Sequence, residues 1–171
     1  VDYPLSTEGQ SVAYTNYSGD GGVGIGSFFR RLGFALRYSE LNLLISNQLS
    51  DDSKLIMERN VVSRVKKAAP FLYTDNDPYL ALIDGKLFWI IDMYTVSDKY
   101  PYAQPADTRR INENSGLPMN FNYLRNSVKA VVNAYDGTIN FYIVDENDPL
   151  ISSYNDIFPN LFTSKSLMSS E

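Results

Sequence analysis

The sequence contains no cysteine and no histidine. Without cysteine there is no disulfide, no thiolate nucleophile and no zinc site built on sulfur. Without histidine there is no Ser-His-Asp triad, no imidazole general base and almost none of the usual zinc or iron sites. Any catalysis in this chain must run on carboxylates, on Ser or Thr with Lys, or on Tyr. A binding or structural module needs none of the missing residues and is the expected class, with no cofactor and no metal.

Basic excess and long apolar runs are missing too. Fifteen Lys and Arg against twenty Asp and Glu leave a net charge of -5, which argues against a nucleic-acid surface and against anchoring on anionic lipid. Runs such as Leu87 to Ile91 are strand-sized, whereas a membrane helix needs roughly 20 apolar residues. No charged segment followed by an apolar one opens the chain, so no signal peptide is visible. The chain starts on Val1 rather than Met, and is expected to be part of something longer.

What is present suits a globular core: 44% of the 171 residues are hydrophobic, enough for one domain. That domain is expected over residues 1–162, with the Ser-rich stretch 163–171 as a frayed tail. A strand is expected at Val12 to Tyr17. The glycine-rich loop Gly21-Gly22-Val23-Gly24-Ile25-Gly26 then leads to Ser27, a candidate N-cap. Phe28, Leu32, Ala35 and Leu36 follow at the spacing of one helical face, and Ser39 is a candidate cap for a second short helix. Val61, Val65, Ala68 and Leu72 repeat the helical spacing. Arg64, Lys66 and Lys67 suit a helix C-terminus, and Pro70 halts propagation.

Two hairpins are expected. Tyr79 to Ile83 leads through Asp84-Gly85 into Lys86 to Ile91, and Asp-Gly suits a two-residue turn with positive φ at both positions. Its arms are nearly all apolar, which predicts burial on both faces and a central position. Val128 to Tyr135 leads through Asp136-Gly137 into Thr138 to Val144. A two-residue loop there would set Ala134 opposite Ile139, Val132 opposite Phe141 and Ala130 opposite Ile143, with Asn133 and Asn140 on a wet face. Between the hairpins, Asp98 to Pro118 reads as a long loop. Asp148-Pro149 is a candidate helix start.

Several constellations are candidates for chemistry. The bare amides near Ser27, with Arg30 and Arg31, could receive an anion, although the glycine spacing matches neither the dinucleotide fingerprint nor the phosphate loop. Asp75/Asp77 and Asp145/Asp148 could offer oxygens to a hard cation, but no twelve-residue ligand loop is present. Aspartate beside proline is also a common turn or cap device. Asp92 and Asp98 flank Tyr94 at a strand exit, where a desolvated carboxylate could serve acid-base chemistry. Tyr94, Tyr100 and Tyr102 gather nearby as a candidate binding surface.

Read together, several collinear strings resemble a known family. They are Gly21 to Leu32, Ala69-Pro70-Phe71-Leu72, Asp77-Pro78-Tyr79, Asp84 to Ile90, Ser97 to Tyr102, Asn122 to Lys129, Tyr135-Asp136-Gly137-Thr138 and Ile157-Phe158-Pro159. The family is an uncharacterised one of large bacterial multi-pass membrane proteins whose soluble portion follows several transmembrane helices. Gly24 departs from the pattern, standing where many members would have proline. The resemblance implies a soluble, extracytoplasmic part of a membrane protein, and it brings no catalytic residues.

The expectation is therefore an α+β domain, with an antiparallel sheet containing both Asp-Gly hairpins and helices packed on one face. Its expected role is binding other parts of the parent protein or an envelope protein, lipid headgroup or polymer. Two alternatives stand beside it: an envelope hydrolase or transferase using Asp92 and Asp98, and an anion-binding domain using the Gly21 to Ser27 loop.

Overall fold

The computed structural model of the protein describes residues 3–5, 13–15 and 17–168. The chain divides into two compact units, Val1–Met57 and Glu58–Glu171, where the sequence suggests one domain and a tail.

In the first unit, β1 (Tyr3–Leu5) pairs antiparallel with β2 (Ala13–Thr15), inside the strand expected from Val12 to Tyr17; residues 12 and 16 lie outside the described residues, and Tyr17 is not in a strand. Next come β3 (Val23–Gly24), α1 (Phe28–Tyr38), α2 (Asn42–Ile45) and β4 (Lys54–Leu55), with β3 and β4 antiparallel. Ile25 and Ala35 are buried, whereas Phe28, Phe29 and Leu36 are exposed, so α1 uses only part of its apolar face. Ser39 does not cap α2. It ends α1 in the left-handed region at φ 53°, its N–H donating to the Ala35 and Leu36 carbonyls. Glu40 accepts from the Asn42 N–H at 3.3 Å instead.

The second unit runs α3 (Val61–Ala68), β5 (Tyr73–Thr74), β6 (Tyr79–Ile83), β7 (Lys86–Ser97), β8 (Tyr123–Asn133), β9 (Ile139–Ile143), α4 (Pro149–Ile157) and β10 (Phe162–Ser164). Its six-stranded sheet has the order β10-β9-β8-β7-β5, with β6 also on β7. Among the described strand pairs, β9–β10 alone is parallel. Strand alternation sends Ile91, Met93, Val128, Ala130, Val132 and Phe141 to one face. There they form a core with Val65 and Ala69 of the α3 region and Ile151 of α4. The fold is α+β, with these helices on one face of a largely antiparallel sheet.

Local chemistry explains the helix starts. The Asn60 side chain accepts from the Ser63 N–H at 2.9 Å and caps α3. Asp148 caps α4, with Pro149 at its first position. Asn60→Ala is expected to cost about 1 kcal/mol, readable as a lowered urea midpoint at unchanged slope.

The turn between β6 and β7 has Ile83 opposite Lys86, with Asp84 and Gly85 at φ 49° and 72°, the geometry that a two-residue turn of this type requires. The second hairpin differs from its expected register. Val132 stands opposite Ile139 and Ala130 opposite Phe141, a shift of two residues. The Asn133 side chain accepts from the Tyr135 N–H at 2.8 Å. Its own N–H donates to the Thr138 carbonyl, so the chain turns earlier and the loop is longer. An even shift keeps every side chain on its face, and Asn140 remains exposed.

Two other expectations change. The apolar strand β6 is at an edge, not the centre: β5 takes the same side of β7 further along, and Leu80 and Leu82 are 48% and 69% exposed. The segment expected to fray contains most of β10, where Thr163 pairs with Tyr142 and Ser164 with Ile143. A short turn, Lys165–Leu167, follows it. Residues 169–171 lie outside the described residues.

Candidate functional site

The tyrosines that are close in sequence do not form one patch. Tyr94 lies on β7, where alternation turns it to the face opposite the α3/α4 core, together with Asp92. Tyr100 stacks on Tyr123 at 4.3 Å between ring centroids. Asn122 holds it, accepting from its N–H at 2.9 Å and donating to its carbonyl at 2.8 Å. Tyr102, at φ 59°, is fully exposed. Asp98 is exposed in the bend after β7.

Around Tyr94 the outer face assembles a cluster that the sequence does not announce. Asp92 faces Lys129 across the β7–β8 pair, and the two form an ion pair, both partly exposed. The Lys129 ammonium lies 5.9 Å from the Tyr79 ring centroid, a cation–π distance. Burial pulls the Lys129 ammonium down, but the hydrogen bond and charge of Asp92, with Tyr79 adding, lift it above its ordinary value. Burial, then the charges of Asp75 and Asp92, raises the Tyr94 hydroxyl above its own. Tyr73, opposite Tyr94 in the sheet, extends the same face. Chemically, this surface offers a fixed anion beside a fixed cation, bordered by aromatic rings. Lys129 shares a face with Asp92 only once the strand register is known.

On the other face lies a buried polar cluster. Asp148, with no exposed surface, accepts from the hydroxyls of Thr95, Ser127 and Tyr123, each at 2.5 Å, and from the Leu150 N–H at 2.9 Å. Burial would raise its carboxyl; the donors outweigh that and hold it below the ordinary carboxylate value. Burial, then Asp148, pushes the Tyr123 hydroxyl far up, so it stays a donor. An irregularity in the β7–β8 register at Met93/Tyr94 leaves Ser127 without a direct partner, and both Ser127 and Val128 are buried. This closed arrangement stabilises the fold, with no open side for a substrate. Asp145, expected beside Asp148 as a cation ligand, pairs with Arg125 at 3.0 Å. Asp75 accepts from the Asp77 N–H at 3.1 Å, a turn contact.

In the first unit, Ser27 occupies the N-cap position of α1 but makes no capping bond with its side chain. Arg30 donates to the Gly24 carbonyl at 3.3 Å. Arg31 donates to Ile25, Leu49 and Ser50 carbonyls at 2.8, 3.4 and 3.2 Å. The guanidinium groups are thus engaged by carbonyls of the glycine loop and of Leu49 and Ser50.

These features sit on a chain whose entire length, residues 1–171, matches the model of an uncharacterised protein family, UPF0182. The chain belongs to that family. A relative from Trichodesmium erythraeum is 50% identical over 173 residues, covering 96% of this chain but 18% of its own length. Family proteins from Clostridium novyi and Methanospirillum hungatei are 45% and 47% identical, covering 97% and 94% of this chain and 17% of each relative. The chain therefore spans less than a fifth of the length of these curated relatives. No solved structure matches it. Among the described residues, no helix is long and apolar enough to cross a membrane.

Proposed function

We propose that the chain is a non-enzymatic, extracytoplasmic binding module of a larger bacterial membrane protein, and that the outer face of its sheet binds a hydroxyl-rich polymer of the cell envelope. One observation carries the binding surface. The Asp92–Lys129 pair is partly exposed on the face opposite the helices, with Tyr79 beside the ammonium and Tyr94 next along the strand. A paired acceptor and donor match adjacent hydroxyl groups on a polymer, while tyrosine rings give apolar area with a polar tip. The membrane setting rests on the resemblance of the collinear strings, and the much greater length of the relatives supports a larger parent.

The hydrolase alternative asks for two facing carboxylates in a pocket. Asp92 faces Lys129 instead, and Asp98 is exposed beyond the strand. Two surface depressions, of about 500 and about 380 Å3, are lined by residues around β9, α4 and β10 and touch neither aspartate.

The test is retention of the full-length protein on purified envelope polysaccharide. Each ring should contribute about 0.5–1.5 kcal/mol. Tyr79→Ala with Tyr94→Ala should therefore weaken retention about tenfold, with Tyr102→Ala unchanged. Wild-type retention in the folded double variant would overturn the reading.

A further inference from the structure

Among the described strands, β6 pairs with β7 alone, and one side of its backbone has no strand partner. Ile83 and Lys86 flank the two-residue turn and are the hydrogen-bonded pair closest to it. Alternation makes Ala81/Phe88 and Tyr79/Ile90 bonded pairs as well, and Leu82/Leu87 and Leu80/Trp89 non-bonded ones. The Leu87 carbonyl confirms this pattern, because it accepts from the Ala134 N–H at 2.9 Å, on the β8 side. The N–H and C=O of Leu80 and Leu82 consequently point away from β7. Among the described residues, no strand lies against them.

The side chains at those two positions are apolar and exposed, and Leu87 beside them is 48% exposed. Sheet edges that face water are usually blunted by a charge, a proline or a bulge. From Tyr79 to Ile83 there is no charged residue and no proline, and the β6–β7 register is regular. The chemistry that satisfies such an edge is another extended backbone, with apolar residues at alternate positions to cover Leu80 and Leu82.

Size discriminates between sources for that strand. A five-residue edge meeting its own copy buries far less than the roughly 1,200 Å2 at the lower end of stable interfaces. A segment tethered in the same polypeptide needs much less area, because the effective concentration set by the tether does the rest. More than four-fifths of each relative described above lies outside the matched region.

We propose that β6 is a docking edge, and that it is paired in the whole protein by an extended apolar strand from the polypeptide outside these 171 residues. The occupant rests on the larger-parent reading above; the outer-face polymer site does not enter into it.

Residue-resolved amide hydrogen exchange on the full-length protein tests the proposal. The Leu80 and Leu82 amides should exchange about a hundredfold slower than in an unstructured peptide, independently of protein concentration. Leu82→Pro removes one outward N–H and no bond to β7. It should speed Leu80 exchange about tenfold while Ala81 and Ile83 stay protected. Fast exchange at Leu80 and Leu82 with Ala81 and Ile83 protected would overturn the proposal. Protection that fades on dilution would overturn it too, by making a second copy the occupant. The wild-type measurement decides the matter even if Leu82→Pro does not fold. Polysaccharide retention is a separate readout, so failure of the polymer site and failure of the docking edge are distinguishable.

Discussion

Asp148→Ala should destabilise the second unit by about 3–5 kcal/mol, a large share of the stability of a domain this size. The substitution removes the N-cap of α4, worth about 0.5–2 kcal/mol. It also takes the short acceptor bond from the fully buried hydroxyls of Thr95 and Ser127, leaving them only contacts of 3.4 Å to each other and 3.5 Å to the Arg125 carbonyl, at up to about 1–3 kcal/mol for each group. Asp148→Asn keeps the shape and a neutral acceptor, and should cost about 1–2 kcal/mol. Urea unfolding of both variants checks the order. The carboxyl is held below its ordinary value in the folded protein, so its ionised form contributes stability above the unfolded value of about 3.9. That contribution is lost as pH falls through the lower, folded value. The gap between wild type and Asp148→Asn should stay flat from neutral pH down to about 5 and close only in stronger acid.

Gly116→Ala is expected to cost about 2–4 kcal/mol, although residue 116 lies in a loop. Its backbone sits at φ 84°, and a Cβ there would stand 2.3 Å from the Thr74 carbonyl oxygen. Glycine alone adopts this conformation without strain, and the atom in the way is backbone, which cannot rotate aside. The approach is held by the Asn76 N–H donating to the Ser115 carbonyl and by its side chain donating to the Asn114 carbonyl at 2.8 Å. The loop between the hairpins is therefore fastened to β5. A drop in unfolding midpoint, with faster proteolysis between residues 98 and 122, would show that the fastening depends on this glycine.

What was legible in the sequence is what short-range chemistry decides. Asp84-Gly85 specifies its turn, and Asp148-Pro149 the start of α4. The second Asp-Gly pair misleads about loop length, because Asn133 captures the Tyr135 amide before the turn is reached. Apolar content in β6 predicts burial but not which strand provides it, and none in the described chain does. Tyr94, Tyr100 and Tyr102 look like one patch in the sequence. Strand alternation and the bend after Ser97 separate them. Asp148 gathers hydroxyls from positions 53, 21 and 25 residues away, and Lys129 reaches Asp92 across 37 residues. Such long-range meetings depend on register, which no local pattern carries.

We propose that the outer face around Asp92 and Lys129 is the working surface. A photoreactive residue in place of Tyr79, in the full-length protein in living cells, tests it most directly. The expected result is an adduct whose mass collapses on digestion with envelope-polysaccharide hydrolases. No adduct at position 79, together with a specific one from position 102, would contradict it and move the binding surface to the loop after β7.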